Sequence, residues 1–297
     1  VLRSQRSRST RGTGRARNQG STWAERALGE CVGGRCQHRR VDPRDEDLVV
    51  PAECVAWCRV QQYGVLVLDD MAAVDLDWWN HRLTDHAIPV RLTGRDLDGA
   101  VTDRGVAVIT RGDLITGGVG LGEVGVLYMA AAWLSAHRDR DRLRRFVDVR
   151  TPSSRAGLEF AAITAALAVC RQPHLMSFPK IGSSDRLWSG WPRTPGVGAA
   201  VTSLYCWAVH HNTVTVSPGV RPQLLDQQAV ASLIHLGWVA NPVAASFTWA
   251  RYTRYCALLH TWAHQAQVPA ELIEMWLVAR WRQRATPRTS HPDHHRQ

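Results

Sequence analysis

Two short stretches of this 297-residue chain hold chemistry-bearing residues at informative spacings. Thr194-Pro195-Gly196-Val197-Gly198 precedes one stretch of helical periodicity, and Leu224-Leu225-Asp226-Gln227 opens another. A Gly-x-Gly turn between helices lets backbone N–H groups approach a phosphate closely, because no Cβ stands in the way. Asp226 lies 28 residues beyond Gly198, at the expected N-cap of the following helix. An ordinary cap there is worth about 1 kcal/mol. A second glycine motif, Gly120-Leu-Gly122-Glu-Val-Gly125, matches G-x-G-x-x-G. A dinucleotide site needs those glycines directly after a buried strand. Arg111-Gly-Asp113 and Thr116-Gly-Gly118 intervene after the one strand candidate, so the motif reads as a Gly-rich turn into a helix.

The seven cysteines are scattered and odd in number, which argues against a disulfide framework and fits a reducing cytoplasm. Cys31-x4-Cys36, Cys54-x3-Cys58 and the nearby His38 are loosely zinc-like but lack the C-x2-C spacing, so they read as buried or incidental thiols and no metal is expected. The sole lysine, Lys180, sits in the loop Phe178-Pro-Lys-Ile-Gly182 and reads as solvated. His291, His294 and His295 lie in a polar tail and carry no functional assignment.

The elements that must position these residues fall into a mixed N-terminal third and a helical remainder. Residues 1–45 are rich in Arg, Ser, Gly and Thr without hydrophobic period and read as a disordered basic tail. A mixed α/β part is expected over 46–118. It holds a helix from Pro51 to about Tyr63, a strand at Gly64-Val-Leu-Val-Leu68, a helix capped by Asp75, and a small antiparallel sheet within 90–117 that includes Val106–Ile109. A helical domain is expected over 119–283. Its helices start near Glu123 and run over 155–171, Ala199–His210, from Asp226, over Trp249–Gln265, and from Pro269 to about Arg282. The charged run Arg138–Arg145 reads as a solvated helix face, and residues 284–297 as a second disordered tail.

Composition excludes several classes. At 45% hydrophobic and 21% charged the chain is ordinary globular material, not a disordered polymer. No apolar run is long enough for a membrane span, and the first 20 residues lack the apolar core of a secretory signal. The net charge of +10 is carried by the ends: residues 1–45 hold +7, residues 280–297 hold +4, and the middle holds −1. Charge alone therefore does not make the folded part a nucleic-acid binder.

Between about 50 and 283 the chain resembles the helix-hairpin-helix DNA glycosylase superfamily, and within it the actinobacterial 8-oxoguanine DNA glycosylase OGG-fold group. The resemblance runs in order. It rests on Asp77-Trp-Trp-Asn80 with Leu83, Ile109-Thr-Arg-Gly-Asp-Leu114, and Leu127–Ser135 with Trp133. It continues through Thr194–Ala208, Gln223-Leu-Leu-Asp-Gln-Gln-Ala-Val230, and Tyr252-x-x-Tyr255 with Trp262-Ala263 and Glu274. It implies a mainly α (α+β) fold, in which a helix-hairpin-helix domain follows a small mixed part.

It also implies that the target base is flipped from duplex DNA and that Asp226 stabilises the cationic sugar as the N-glycosidic bond breaks. Gly196, Val197 and Gly198 would hold the DNA backbone, with Arg186 and Arg193 on phosphates. Tyr205, Trp207 and Trp191 are the candidates for base stacking, with Trp188 also available. The family's bifunctional members carry a nucleophilic lysine after the hairpin. Aligning from the glycines puts its position at Ala200; aligning from the helix puts it at Ser203. Neither side chain forms an imine, so the implied activity is hydrolytic and monofunctional. Pro192 also interrupts the first hairpin helix, and no C-terminal four-cysteine cluster supports an iron–sulfur centre. No cofactor is expected. The implied protein is a cytoplasmic, nucleoid-associated monomer on double-stranded DNA, away from membranes. A catalytically inactive DNA-binding protein, or a helical partner-binding protein, is the alternative.

Overall fold

The computed structural model describes residues 48–116, 118–140, 146, 159–172, 176, 190–192, 194, 196–211, 220–238 and 247–285. The assignments made to residues 1–45, to the second tail beyond Ala285, and to Cys31, Cys36, His38, Lys180, Arg186, Trp188, Arg193 and the helix before the glycine turn lie outside these residues; residues 284 and 285, expected in the second tail, are the end of a helix.

The fold is mainly α, with one small antiparallel sheet. Helix α1 (Ala52–Arg59) leads through a π-helical turn (Gly64–Leu68) to strand β1 (Met71–Asp75). Asp75 then caps helix α2 (Leu76–Asp85) by accepting from the Trp78 N–H at 3.0 Å, as its position before an apolar-periodic run demands. Strands β2 (Gly94–Arg95), β3 (Val101–Thr102) and β4 (Val106–Thr110) complete a sheet of order β1-β4-β2-β3. β1 and β4 pair from Met71↔Thr110 to Asp75↔Val106. The strict alternation of β1 buries Ala72 and Val74 and leaves Met71, Ala73 and Asp75 outside.

The expected strand at Gly64–Leu68 is instead the π-helical turn, in which the Asp69 N–H reaches the Gly64 carbonyl at 2.8 Å. A short continuous apolar run has no period with which to separate strand from helix. Helix α3 (Arg111–Thr116) packs on this turn. The approach is so close that a Cβ on Gly112 would sit 3.1 Å from the Leu68 carbonyl oxygen.

Helix α4 (Gly118–Ala136) breaks at Gly122, whose φ of 66° is open to glycine and strained for other residues. α3 intervenes between β4 and the G-x-G-x-x-G glycines. From Gly125 to Leu134 every residue of α4 is buried, because β1, α3, α5 (Glu159–Cys170) and α6 (Ala199–His210) pack around it. A second centre forms on helix α9 (Ala270–Ala285), which receives α1, α7 (Gln227–His235) and α8 (Trp249–Ala266). The two centres share one continuous apolar core. Among the described residues, no helix is long and apolar enough to cross a membrane.

One expectation fails with consequences for the site. Of the run Arg138–Arg145, expected to be a solvated face, Arg138 and Asp139 are exposed but Arg140 is buried to 3% exposure, and 141–145 lie outside the described residues. Its guanidinium turns inward because three carboxylates converge there.

Candidate active site around Asp226

The chain enters the site along an extended strap, residues 220–226. An extended buried segment without a neighbouring strand must find side-chain partners for its backbone. Helix α8 supplies them with the phenols of Tyr252 and Tyr255, spaced i, i+3 on one face. The Tyr252 hydroxyl donates to the Gln223 carbonyl at 2.7 Å, and the Tyr255 hydroxyl to the Leu224 carbonyl at 2.9 Å. From the other side, the Leu225 N–H donates to Ser203 Oγ on α6 at 2.9 Å. The strap is thereby fixed up to the residue before Asp226.

Asp226 caps α7. Its Oδ1 accepts from the N–H groups of Gln228 at 2.7 Å and Ala229 at 3.4 Å. Its Oδ2 accepts from Arg140 Nη1 at 3.3 Å. Arg140 also donates through Nη1 to Glu274 Oε1 at 2.5 Å and through Nη2 to Asp70 Oδ2 at 3.1 Å. Each partner is shared in turn: Asp70 meets His137 Nε2 at 2.6 Å, and Glu274 accepts from Arg111 Nη1 at 2.7 Å. The result is a buried chain, His137–Asp70–Arg140–Glu274–Arg111, with Asp226 branching from Arg140. Removing Arg140, the cation that three carboxylates share, would cost about 3–5 kcal/mol, because buried charge is left uncompensated.

The electrostatics follow from sharing. Burial pushes the Asp226 carboxyl above its ordinary value; Arg140 opposes this, while Glu274 adds to it and the two cap N–H groups subtract. Burial also works against the Asp70 carboxylate, but Arg140, His137 and Arg111 together hold it below the usual range. Burial disfavours the Arg140 charge as well, yet Glu274, Asp70 and Asp226 keep its guanidinium firmly protonated.

The glycine turn stands at the N-terminal end of α6. The Val197 N–H closes it onto the Thr194 carbonyl at 3.1 Å, and Gly196 takes a φ of 70°. Gly196 and Gly198 are exposed and Val197 is half-buried. Gly198 is the N-cap of α6 and offers no side-chain cap, so the first N–H groups of the helix are left to an outside partner. Of the two lysine-equivalent positions, Ala200 is exposed in the first turn, whereas Ser203 is buried against the strap that carries Asp226.

The aromatic candidates are packed into the protein. Tyr205 is buried and donates its hydroxyl to Glu123. Trp207 donates to Glu271 Oε1 at 3.1 Å and carries the Arg111 guanidinium 4.2 Å above its ring. Trp191 donates to the Phe247 carbonyl at 2.7 Å and packs against Trp249 and Tyr252. None of the three presents an open ring face here. Ser203 and Asp226 come together; the exposed turn is linked to them through the first turns of α6, from its N-cap Gly198 to Ser203.

A family model described as "Putative 8-oxoguanine DNA glycosylase OGG-like protein" matches residues 66–278. The chain belongs to this family. No match was found among curated proteins or among solved structures. The OGG-like match runs from the π-helical turn into α9 and includes Asp70, Arg111, Arg140, Asp226 and Glu274. Membership makes this a DNA-glycosylase-like protein of DNA repair, for which DNA is the implied partner.

Sequence reading of this OGG-like chain missed Asp70, His137 and Arg140 entirely and named Arg111 and Glu274 only as members of motifs. Arg111 had one available signal: it directly follows a β-rich apolar run and precedes Asp113. That aspartate turns back to accept from the Thr110 N–H at 2.8 Å, so the arginine points inward. Arg140 gave no such signal among its charged neighbours.

Proposed function

We propose that this OGG-like protein releases a damaged base from duplex DNA by hydrolysis, with Asp226 as the carboxylate that does the chemistry. The observation that carries this reading is Ser203. The family's bifunctional chemistry needs an amine at the position aligned with Ser203 or Ala200, and the chain offers there a hydroxyl already engaged by Leu225 N–H and the Ala200 carbonyl, or a methyl group. Without an amine the sugar cannot be captured as an imine. The C1′–N bond then breaks with its electron pair leaving on the base. The oxocarbenium-like sugar is stabilised by the negative charge at Asp226. Water adds to C1′, and its proton passes to the carboxylate or to solvent. The exposed turn Gly196–Gly198 and the uncapped start of α6 receive the DNA backbone, and Arg186 and Arg193 are the candidates for further phosphate contacts. Of Tyr205, Trp207 and Trp191, any that stacks on the flipped base must first leave its present packing. 8-Oxoguanine is the first base to try, and the protein acts as a monomer on DNA in the cytoplasm.

A second reading is favoured by one observation. Both oxygens of Asp226 are engaged, and its side chain is only 2% exposed. A protein that binds damaged DNA without releasing the base would keep this arrangement throughout.

Purified protein incubated with duplexes carrying 8-oxoguanine, uracil or alkylated bases separates the two. Hydrolysis gives strand breaks only after hot alkali and no borohydride-trapped adduct. Breakage without alkali, together with trapping, would overturn the hydrolytic reading. Lesion-selective binding with no abasic product would support the second.

A further inference from the structure

Three carboxylates and one guanidinium meet in the buried network. Asp70 comes from the turn before β1, Asp226 from the start of α7, and Glu274 from α9; all three touch Arg140. Arg111 adds a second full cation, but it binds Glu274 alone. Among the described residues His137 is the one other basic side chain in the chain of contacts, and it binds Asp70. His137 Nδ1 accepts from the Asp139 N–H at 3.1 Å, so its ring meets Asp70 as a one-donor imidazole through Nε2, and among the described residues three carboxylates face two guanidiniums. A closed ion-pair network inside a core ordinarily balances, because uncompensated buried charge is costly. This one does not.

The excess charge has a location. Glu274 is held by both arginines and Asp70 by Arg140 and His137 at short range. Among the described residues Asp226 has one cation, at the longest of the three Arg140 contacts, 3.3 Å. Its other oxygen is occupied by two neutral N–H groups of α7. The groups that face it from the surrounding elements are Arg140 after α4, Glu274 on α9, Asp70 before β1, and the Tyr255 phenol on α8, whose hydroxyl is committed to Leu224. Glu274 and Asp70 both compete with Asp226 for the same guanidinium.

We propose that Arg140 is a positioning residue for Asp226: it holds the carboxylate in its capping rotamer, and because Asp70 and Glu274 share it, it leaves that carboxylate short of positive charge. A cationic sugar at C1′ is the group that supplies the missing charge. A private arginine on Asp226 would quench the field that the transition state uses; no arginine at all would leave three buried acids to take up protons. The shared arginine sits between these limits. The inference rests on the reading that Asp226 acts on the sugar, and Arg140 itself touches no substrate.

Asp70→Asn is the informative variant. Asparagine keeps the side-chain shape and the bond to His137 but releases Arg140 towards Asp226. The acid limb of the base-release rate should move to lower pH, by roughly one unit or more, while the rate on the neutral plateau falls. Arg140→Lys, which keeps one charge but cannot reach three acceptors, should move the limb to higher pH. Opposite movements are expected only if Arg140 acts through the charge of Asp226. A rate loss in both variants without movement of either limb would overturn the proposal.

A second measurement needs no catalysis. The difference in melting temperature between each protein and its Asp226→Asn derivative is followed against pH. The pH at which that difference changes should fall in the Asp70→Asn background and rise in the Arg140→Lys background. If the wild-type chain releases no base at any pH, the functional reading fails, and these melting curves still decide the electrostatic link. Curves that coincide in the wild-type and Asp70→Asn backgrounds would sink it.

Discussion

Asp226 is asked to do two things at once, and they pull its stability in opposite directions. As a cap it satisfies two N–H groups of α7, worth about 1 kcal/mol. As a buried acid with only a share of Arg140 it resists ionisation, so its carboxyl titrates above the ordinary range. The sign of the linkage follows directly. A folded state that binds the proton more tightly than the unfolded chain loses stability as pH rises from the unfolded value through the folded one. Asp226→Asn keeps the accepting oxygen and removes the charge. At neutral pH it should therefore melt no lower than the wild-type protein, by thermal or urea unfolding, while base release is lost by two orders of magnitude or more, the scale of a lost transition-state charge, about 3 kcal/mol. Base release that survives this change would remove Asp226 from the mechanism. The cap was legible because an aspartate before an apolar-periodic run has few other roles. Its arginine was not, because a buried guanidinium and a solvated one look alike in a run of Arg and Asp; only the convergence of Asp70, Asp226 and Glu274 from distant parts of the chain tells them apart.

At the scale of elements, the strap 220–226 depends on α8. Tyr252 and Tyr255 share one helical face, and their two hydroxyls occupy successive carbonyls of the strap. Tyr255→Phe keeps the ring and its packing near Trp238 but leaves the Leu224 carbonyl buried without a donor. The cost should be about 1–3 kcal/mol in unfolding free energy. The strap is anchored two residues before Asp226, so base release should fall more than the loss of stability alone explains at temperatures well below melting. An unchanged rate would show that Ser203 and the α7 cap suffice to hold the carboxylate. The helices themselves were readable because apolar residues recur at helical intervals over long spans: α6 was expected over Ala199–His210 and is found there, and α8 runs one residue past its expected end. The turn Gly64–Leu68 was misread as strand because five residues are too few to show a period, and its partner α3 lies more than forty residues further on.

At the scale of the whole molecule, charge is divided in a way that bears on how DNA is met. Residues 1–45 and 280–297 carry +7 and +4, and the remainder carries −1; Arg280, Arg282 and Arg284 of the second segment lie in the last turns of α9. The folded part has also drawn two of its arginines, Arg111 and Arg140, into the core, where they are spent on carboxylates and unavailable to phosphates. Long-range attraction to DNA is therefore expected chiefly from residues 1–45 and the C-terminal end of the chain, and discrimination of the lesion from the part between them. Attraction by phosphate neutralisation leaves a specific signature, a fall in log affinity with log salt of about 0.9 per phosphate contacted. Removing residues 1–45 should flatten that slope by several phosphate equivalents and weaken binding to damaged and undamaged duplexes alike. The ratio of the two affinities, measured at equal salt by fluorescence anisotropy, should stay the same, because the residues that would read the lesion lie outside the tail. The ratio is the decisive quantity. If it collapses with the tail while the slope for undamaged DNA is unchanged, the basic segment is the reader and the turn Gly196–Gly198 is not the DNA contact.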